Sequence, residues 1–423
     1  MAEKSCDLSF RDGRSCTPEQ ISQSQAGGMV VLKRIGLLMI GLIFLVTGLS
    51  AQTPKVRISA WYWLNSAPKT DWQGDFITMK NMGFTDVLLG WGLDAAGVAT
   101  RISDTQKAIR LAHQAGMGAY LIVWHPHANS LTRRPEFMQI DSEGHVLKSF
   151  DVFNPEWRST QWKTYIQKVA KAYGTEPGFS GYVFDDSFGA GGNGVVSYGA
   201  YEKKAFGEPL PTKPDDPRWD AWEKARQGWW EDWARDTTKY IRAIDPNHRH
   251  QIYLEDHFPM VVNPKRLSRL GLDFGRVAKH FDAVGGYTSA RWSSDPDSGQ
   301  KAAQLTPEAI EGVRKYTNPR QEIIYTFWVA NQAEERLPGA AMYPTADQIK
   351  LICEAALKLG IRHIDMYGYR IGEYILKPDQ TMADMVPPDP APYKLTGQFP
   401  LKFLWDRPEV HQGLADYLKS LNR

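Results

Sequence analysis

The sequence predicts an α/β fold, a single (β/α)8 barrel, on three observations. Short apolar runs recur along the chain after Pro54, and each is followed by a stretch with helical spacing. There are eight such repeats, the count of a closed parallel barrel. No linker, internal repeat or low-complexity segment divides them into two domains.

The runs read as strands at 56–63, 85–89, 119–124, 179–184, 251–254, 283–287, 323–328 and 363–367. Between them lie the helices. Asp71 opens the first and Gly83 closes it. The second, 103–115, places Ile109, Ala112 and Ala115 on one side and stops at Gly116. After strand three the chain runs into His125-Pro126-His127 and a long loop to Asn154. Pro155-Glu156 starts the third helix, with Trp162, Ile166, Val169, Ala170 and Tyr173 three and four apart. A Trp-rich helix, 219–244, is stopped by Asp245-Pro246-Asn247. A helical segment spans 266–279, and Thr306-Pro307-Glu308 caps the sixth helix with Pro at its first position. The seventh runs 345–359 to Gly360, and a last helix at 408–421 closes the chain.

The N-terminus carries a different signal. Lys33-Arg34 followed by apolar residues 35–49 and Leu49-Ser50-Ala51 matches a signal peptide cleaved before Gln52, and the apolar run is short for a membrane span. Met29 precedes it directly. The expected organisation is therefore a spurious leader at 1–28, a signal peptide at 29–51 and the barrel at 52–423, with a secreted or periplasmic protein that meets the membrane only during export. Cys6 and Cys16 fall in the leader. The mature chain keeps only Cys353, on the apolar face of a helix, which leaves no intrachain disulfide and no Cys-based metal site.

A net charge of +2 gives no reason to expect nucleic acid as a partner. Aromatics make up 12% of the chain, 15 of them Trp, and many fall at predicted strand ends. The apolar faces of sugar rings stack on such side chains, which points to an oligo- or polysaccharide partner.

Barrel active sites sit at the carboxyl ends of the strands. There the sequence places Trp61 and Trp63, Trp91, Trp124 with His125 and His127, Asp185-Asp186, Glu255-Asp256-His257, Tyr287 with Arg291, Trp328, and Tyr367. The carboxylates concentrate on strands four and five. Two carboxyl groups facing a sugar can divide glycoside hydrolysis between them, one protonating the leaving oxygen and the other attacking or activating water. The catalytic candidates are Asp186 or Asp185, and Glu255 or Asp256, with Asp186 and Glu255 preferred; the Trp, Tyr, His and Arg residues are substrate-binding candidates. Asp282 and Asp365, before or within strands, read as structural. No cofactor is expected. Two other readings stay open: a sugar-binding barrel without turnover, and a metal-dependent hydrolase using His125, His127 and His257.

Asn154-Pro155-Glu156, Tyr165, Tyr173-Gly174, the run Pro177-Gly178-Phe179-Ser180-Gly181-Tyr182 with Asp185, and Ile241-Arg242-Ala243-Ile244-Asp245-Pro246-Asn247 together resemble the secreted barrel glycoside hydrolases related to the family 42 β-galactosidases. The resemblance implies a barrel, export, a sugar substrate and a retaining mechanism with a strand-four Glu as acid/base and a strand-seven Glu as nucleophile. This chain departs from the pattern at both positions. Ser187 stands where the acid would be, in Asp185-Asp186-Ser187, and strand seven ends Tyr325-Thr326-Phe327-Trp328 with no carboxylate.

Overall fold

Eight parallel strands close on themselves in a computed structural model of the chain. It describes residues 56–66, 69–91, 97–124, 134–185, 197–254, 267–268, 270–288, 298–329, 344–370, 404 and 407–422. The chain divides into Met1–Thr53 and Pro54–Arg423, and every described residue belongs to the second unit. The ring runs β1 (Arg57–Trp63), β2 (Asp86–Gly90), β3 (Gly118–Trp124), β6 (Phe179–Asp185), β7 (Arg249–Leu254), β8 (Ala283–Thr288), β9 (Glu322–Trp328) and β10 (His363–Arg370), which pairs back to β1. Between β3 and β6 the chain makes an antiparallel hairpin of β4 (Met138–Ile140) and β5 (Val146–Phe150), where the sequence predicts only loop.

Successive side chains on a strand face opposite ways, and here that alternation sorts the aromatics. Tyr62, Tyr182, Phe184, Tyr325 and Phe327 point outward into the layer between barrel and helices. Trp61, Trp63, Tyr120, Val183, Tyr253 and Tyr367 fill the inside. Such large rings fit because their cross-strand neighbours are glycines. Trp63 pairs with Gly90 and Tyr253 with Gly285. A Cβ on Gly90 would lie 2.0 Å from the Trp63 ring, and one on Gly285 would lie 1.7 Å from the ring of Tyr253.

The amino-terminal end of the interior is ionic. Arg57 reaches Asp86 at 3.1 Å and Glu322 at 3.7 Å, and Arg249 reaches Glu322 at 2.6 Å. Burial pushes the Glu322 carboxyl up, but His363, Arg249 and Arg57 outweigh it and hold it down at about 2.

Most of the helices follow their sequence signals. Helix α1 (Trp72–Met82) ends on Gly83 in the left-handed region, at φ 109°. Next come α2 (Ile102–Gln114), α3 (Lys163–Tyr173), α4 (Ala200–Phe206), α5 (Trp219–Arg242), α6 (Phe274–Ala278) and α7 (Ser298–Arg314). Helix α8 (Ala346–Lys358) opens on a Thr345–Gln348 capping box and buries Cys353, and α9 (Pro408–Ser420) closes the chain. The departures are α4, which no sequence signal announces, and α7. Thr306-Pro307, expected to start it, lies in its middle. Its buried side runs through Ala302, Thr306, Ala309, Ile310 and Val313, and that spacing carries the helix past the proline. The Thr306 hydroxyl donates to the Ala302 carbonyl at 3.0 Å and meets Tyr325 Oη at 2.7 Å, which ties the turn to β9.

The glycine–ring pairing can be tested on stability. Gly285→Ala must displace Tyr253 and is expected to cost about 1–3 kcal/mol, read as a lower urea midpoint at unchanged slope. Gly228→Ala on α5, where an added Cβ meets nothing within 4 Å, should instead stabilise by up to about 1 kcal/mol. Equal midpoints for both variants would contradict the packing described.

Candidate functional site

The carboxyl ends of the strands carry two kinds of side chain on the inner face. One is a carboxylate. On β6, Val183 belongs to the interior while Tyr182 and Phe184 belong to the outer layer. Asp185 therefore faces inward, beside Trp124 of β3 in register and only 5% exposed.

The other kind is aromatic and stands at two depths. Trp61 and Trp63 are 0% and 1% exposed and meet edge to face at 5.7 Å. They were expected to stack on substrate, but the barrel encloses them, and they form a floor. Above them Tyr367 lies 4.9 Å from Trp61 and retains 9% exposure. Trp328, half-buried, lies 4.1 Å from Tyr367. Among the described aromatics of the inner face, this pair offers ring surface at the mouth.

Beneath the floor is Asp365, fully buried on β10. Its Oδ1 accepts from Ser59 Oγ at 2.8 Å. Its Oδ2 accepts from Trp61 Nε1 at 2.5 Å, from Tyr253 Oη at 3.1 Å and, at the limit, from Thr326 Oγ1 at 3.5 Å. Ser59 Oγ also meets His363 Nε2 at 3.0 Å, which links this site to the ionic cluster below. Burial pushes the Asp365 carboxyl up, against the pull of His363 and of the hydrogen bonds from Trp61, Ser59 and Tyr253. Burial likewise raises the Tyr253 hydroxyl far above its usual value, reinforced by Asp365 and by the charge of Asp185. Tyr253 thus donates its hydrogen bond to Asp365 while it lies within the electrostatic reach of Asp185.

Other predicted positions fall elsewhere. Trp91 is 5% exposed in the outer layer, where its Nε1 donates to Thr105 Oγ1 at 2.9 Å, its ring packs on Trp72 and Arg101 lies over it at 4.5 Å. Those contacts leave it little surface for a sugar. Trp124 and Tyr287 sit at the carboxyl ends of β3 and β8. Asp186, Glu255, Asp256, His125, His127, His257 and Arg291 lie outside the described residues. Among the described residues, one group has metal-binding proximity, Asp141, Glu143 and His145 on the exposed β4–β5 turn. Turn geometry accounts for it: Asp141 Oδ1 accepts from the backbone of Glu143 and His145.

Sequence reasoning missed Asp365 as the central acceptor and Tyr253 as its neighbour. The available signal was the two-residue period: Ser59, Trp61 and Trp63 share one face of strand one, and Asp365 and Tyr367 share one face of strand eight.

No protein-family model matches the chain, and no curated protein matches it. Solved structures do. The β-galactosidase of the Antarctic haloarchaeon Halorubrum lacusprofundi superposes with a TM-score of 0.59 at 14% identity, covering 86% of this chain and 58% of that one. The β-galactosidase of the psychrophilic Marinomonas ef1 gives 0.52 at 13%, covering 74% and 54%. The PgaB (BpsB) glycoside hydrolase domain of Bordetella bronchiseptica gives 0.51 at 15%, covering 75% and 94%. The chain therefore spans little more than half the length of these β-galactosidases. What the likenesses show is the fold, a (β/α)8 barrel of the kind found in glycoside hydrolases.

The Asp365 cluster predicts a graded loss of stability. Tyr253→Phe removes one hydrogen bond to a charged group and should cost about 1.5–3 kcal/mol. Asp365→Asn leaves several buried donors competing for one neutral amide and should cost more, about 3–5 kcal/mol. Guanidinium denaturation measures both, and an unchanged midpoint in either variant would contradict the cluster.

Proposed function

We propose that the protein is a secreted glycoside hydrolase acting on an oligo- or polysaccharide with a pair of carboxyl groups. The observation that carries this reading is Asp185, a carboxylate on the inner face at the carboxyl end of barrel strand four, in a barrel whose interior holds an aromatic floor and a half-buried Trp328 packed on Tyr367. A sugar ring stacked on that pair would stand over the strand ends, where barrel enzymes do their chemistry. One carboxyl group, from Asp185 or Asp186, works with a second from Glu255 or Asp256. One protonates the glycosidic oxygen, and the other attacks the anomeric carbon or activates water. The inward placement of Asp185 supports it over Asp186. The barrel likeness to glycoside hydrolases supports the class of reaction.

A second reading is a sugar-binding barrel without turnover. It is favoured by Ser187 and by the Thr326-Phe327-Trp328 strand end, where the resembling family keeps its two glutamates. The two readings separate on a panel of glycosides and polysaccharides. For an enzyme, alanine at the working member of each carboxylate pair is expected to lower kcat by about 10²–10⁴-fold. Full activity in all four single variants, Asp185→Ala, Asp186→Ala, Glu255→Ala and Asp256→Ala, would sink the two-carboxylate mechanism. Saturable binding with no turnover in the parent would establish the second reading.

Export is the remaining element, and it rests on the Lys33-Arg34, apolar and Leu49-Ser50-Ala51 pattern. Expression with the N-terminal segment intact should yield an extracytoplasmic protein whose sequencing begins at Gln52. A cytoplasmic product retaining residues 30–51 would overturn it.

A further inference from the structure

Two excursions leave the carboxyl end of the barrel on adjacent strands. The one after β3 holds the β4–β5 hairpin and, just beyond it, Asp151. The one after β6 begins next to Asp185 and returns through Ser197 to α4, which carries Glu202. Asp151 is 3% exposed and Glu202 is 0% exposed. The two carboxyl groups are hydrogen-bonded to each other.

Among the described residues no salt bridge joins a cation to either of them, although the charge of Arg158 favours the ionised form of Asp151. The nearby Arg158 is committed elsewhere: its Nη1 donates to the carbonyls of Val152 at 3.0 Å and Phe153 at 2.6 Å. Its Nε donates to Asp236 on α5 at 3.0 Å, and its Nη2 lies 3.8 Å from Asp232. Glu202 Oε2 accepts from the backbone N–H of Gly199 at 2.8 Å, with the Ser197 hydroxyl beside it. Glu202 Oε1 is buried and has no other donor among the described residues. Asp151 accepts from the Phe153 N–H at 3.1 Å. Tyr201 and the charges of Arg158 and Asp232 complete the surroundings. Two carboxyl oxygens form a hydrogen bond only with a proton between them, and two bare carboxylates buried together would repel.

We propose that Asp151 and Glu202 share one proton as a latch, fastening the excursion after β3 to the excursion after β6, and that alkaline pH opens it. Other contacts mark the same seam. The Tyr198 N–H donates to the Ile140 carbonyl at 2.7 Å, and Ile140 N–H reaches Ser197 Oγ at 3.5 Å. The seam also walls a cleft of about 840 Å³ between Ile140, Tyr198, Lys203 and Leu210. The proposal stands whether or not the barrel turns over a sugar.

Burial and the neighbouring Glu202 raise the proton affinity of Asp151 well above its ordinary value. The stability it confers is therefore full below the unfolded pKa of about 4 and is lost as pH climbs through the folded one. Amide hydrogen exchange over 197–206, corrected for the intrinsic effect of pH, is expected to lose up to about tenfold in protection per pH unit between the unfolded pKa and the raised folded one, and to level off once the proton leaves the closed latch. An infrared band of a protonated carboxyl, present at neutral pH, should disappear at the pH where that loss levels off. Asp151→Asn keeps an N–H donor to Glu202 and cannot ionise, so it should hold its protection at alkaline pH. If that variant does not fold, Glu202→Gln serves the same purpose, with the amide donating to Asp151. A parent that shows no protonated-carboxyl band at neutral pH would overturn the proposal. So would a variant that loses protection over 197–206 as steeply as the parent.

Discussion

The inside of this barrel is organised by one carboxylate. Asp365 gathers donors from Ser59 and Trp61 on β1, Tyr253 on β7 and, more weakly, Thr326 on β9. A carboxyl group taken that far from water is tolerated only when its polar atoms are satisfied. Each donor is thereby constrained to one rotamer. Trp61 and Tyr253 are the consequential ones, because their rings fill the interior and their polar ends must point at the same atom. The glycines opposite the rings, Gly90 beside Trp63 and Gly285 beside Tyr253, follow from that crowding. Large rings, small neighbours and a buried acceptor form one arrangement.

The constraint reaches the mouth. Tyr253 gives its proton to Asp365 and sits in the field of Asp185. A phenol has one proton, and Tyr253 commits it to the buried carboxyl group beneath the mouth. The same interior that stabilises the strands thus shapes the electrostatic setting of the candidate carboxylate.

Much of the fold was legible because parallel strands buried on both faces read as continuous apolar runs. All eight strands appear within a few residues of their expected ends. What failed depended on distant contacts. Thr306-Pro307 carries a strong local start signal, but the buried side of α7 extends back through Ala302 and overrides it. The β4–β5 hairpin and α4 are short, and their partners lie in other excursions, so no local period announces them. At the site, alternation could have placed Asp185 inward from Val183, whereas nearness to the rim favoured Asp186. Counting aromatics at strand ends could not separate enclosed rings from open ones. Trp61, Trp63 and Trp91 are packed away, and Trp328 with Tyr367 is reachable. Asp365 looked structural by position, and it is structural, but its partners are what set the floor of the cleft.

The departures from the resembling family can now be placed in space. The strand-seven position that would hold a nucleophile is occupied by inward Thr326, outward Phe327 and then Trp328. Thr326 faces the Asp365 cluster, so a glutamate there would bring a second carboxyl group against Asp365 with no added cation among the described neighbours. Two like charges a few ångströms apart raise one another's proton affinity. The added group would have to be neutral or displace Tyr253. The absence of a strand-seven carboxylate is therefore coupled to the presence of Asp365. Under the hydrolytic role proposed above, the second carboxyl group stands away from strand seven, and Glu255 and Asp256, which follow Tyr253 and Leu254 in the sequence, are its proposed source.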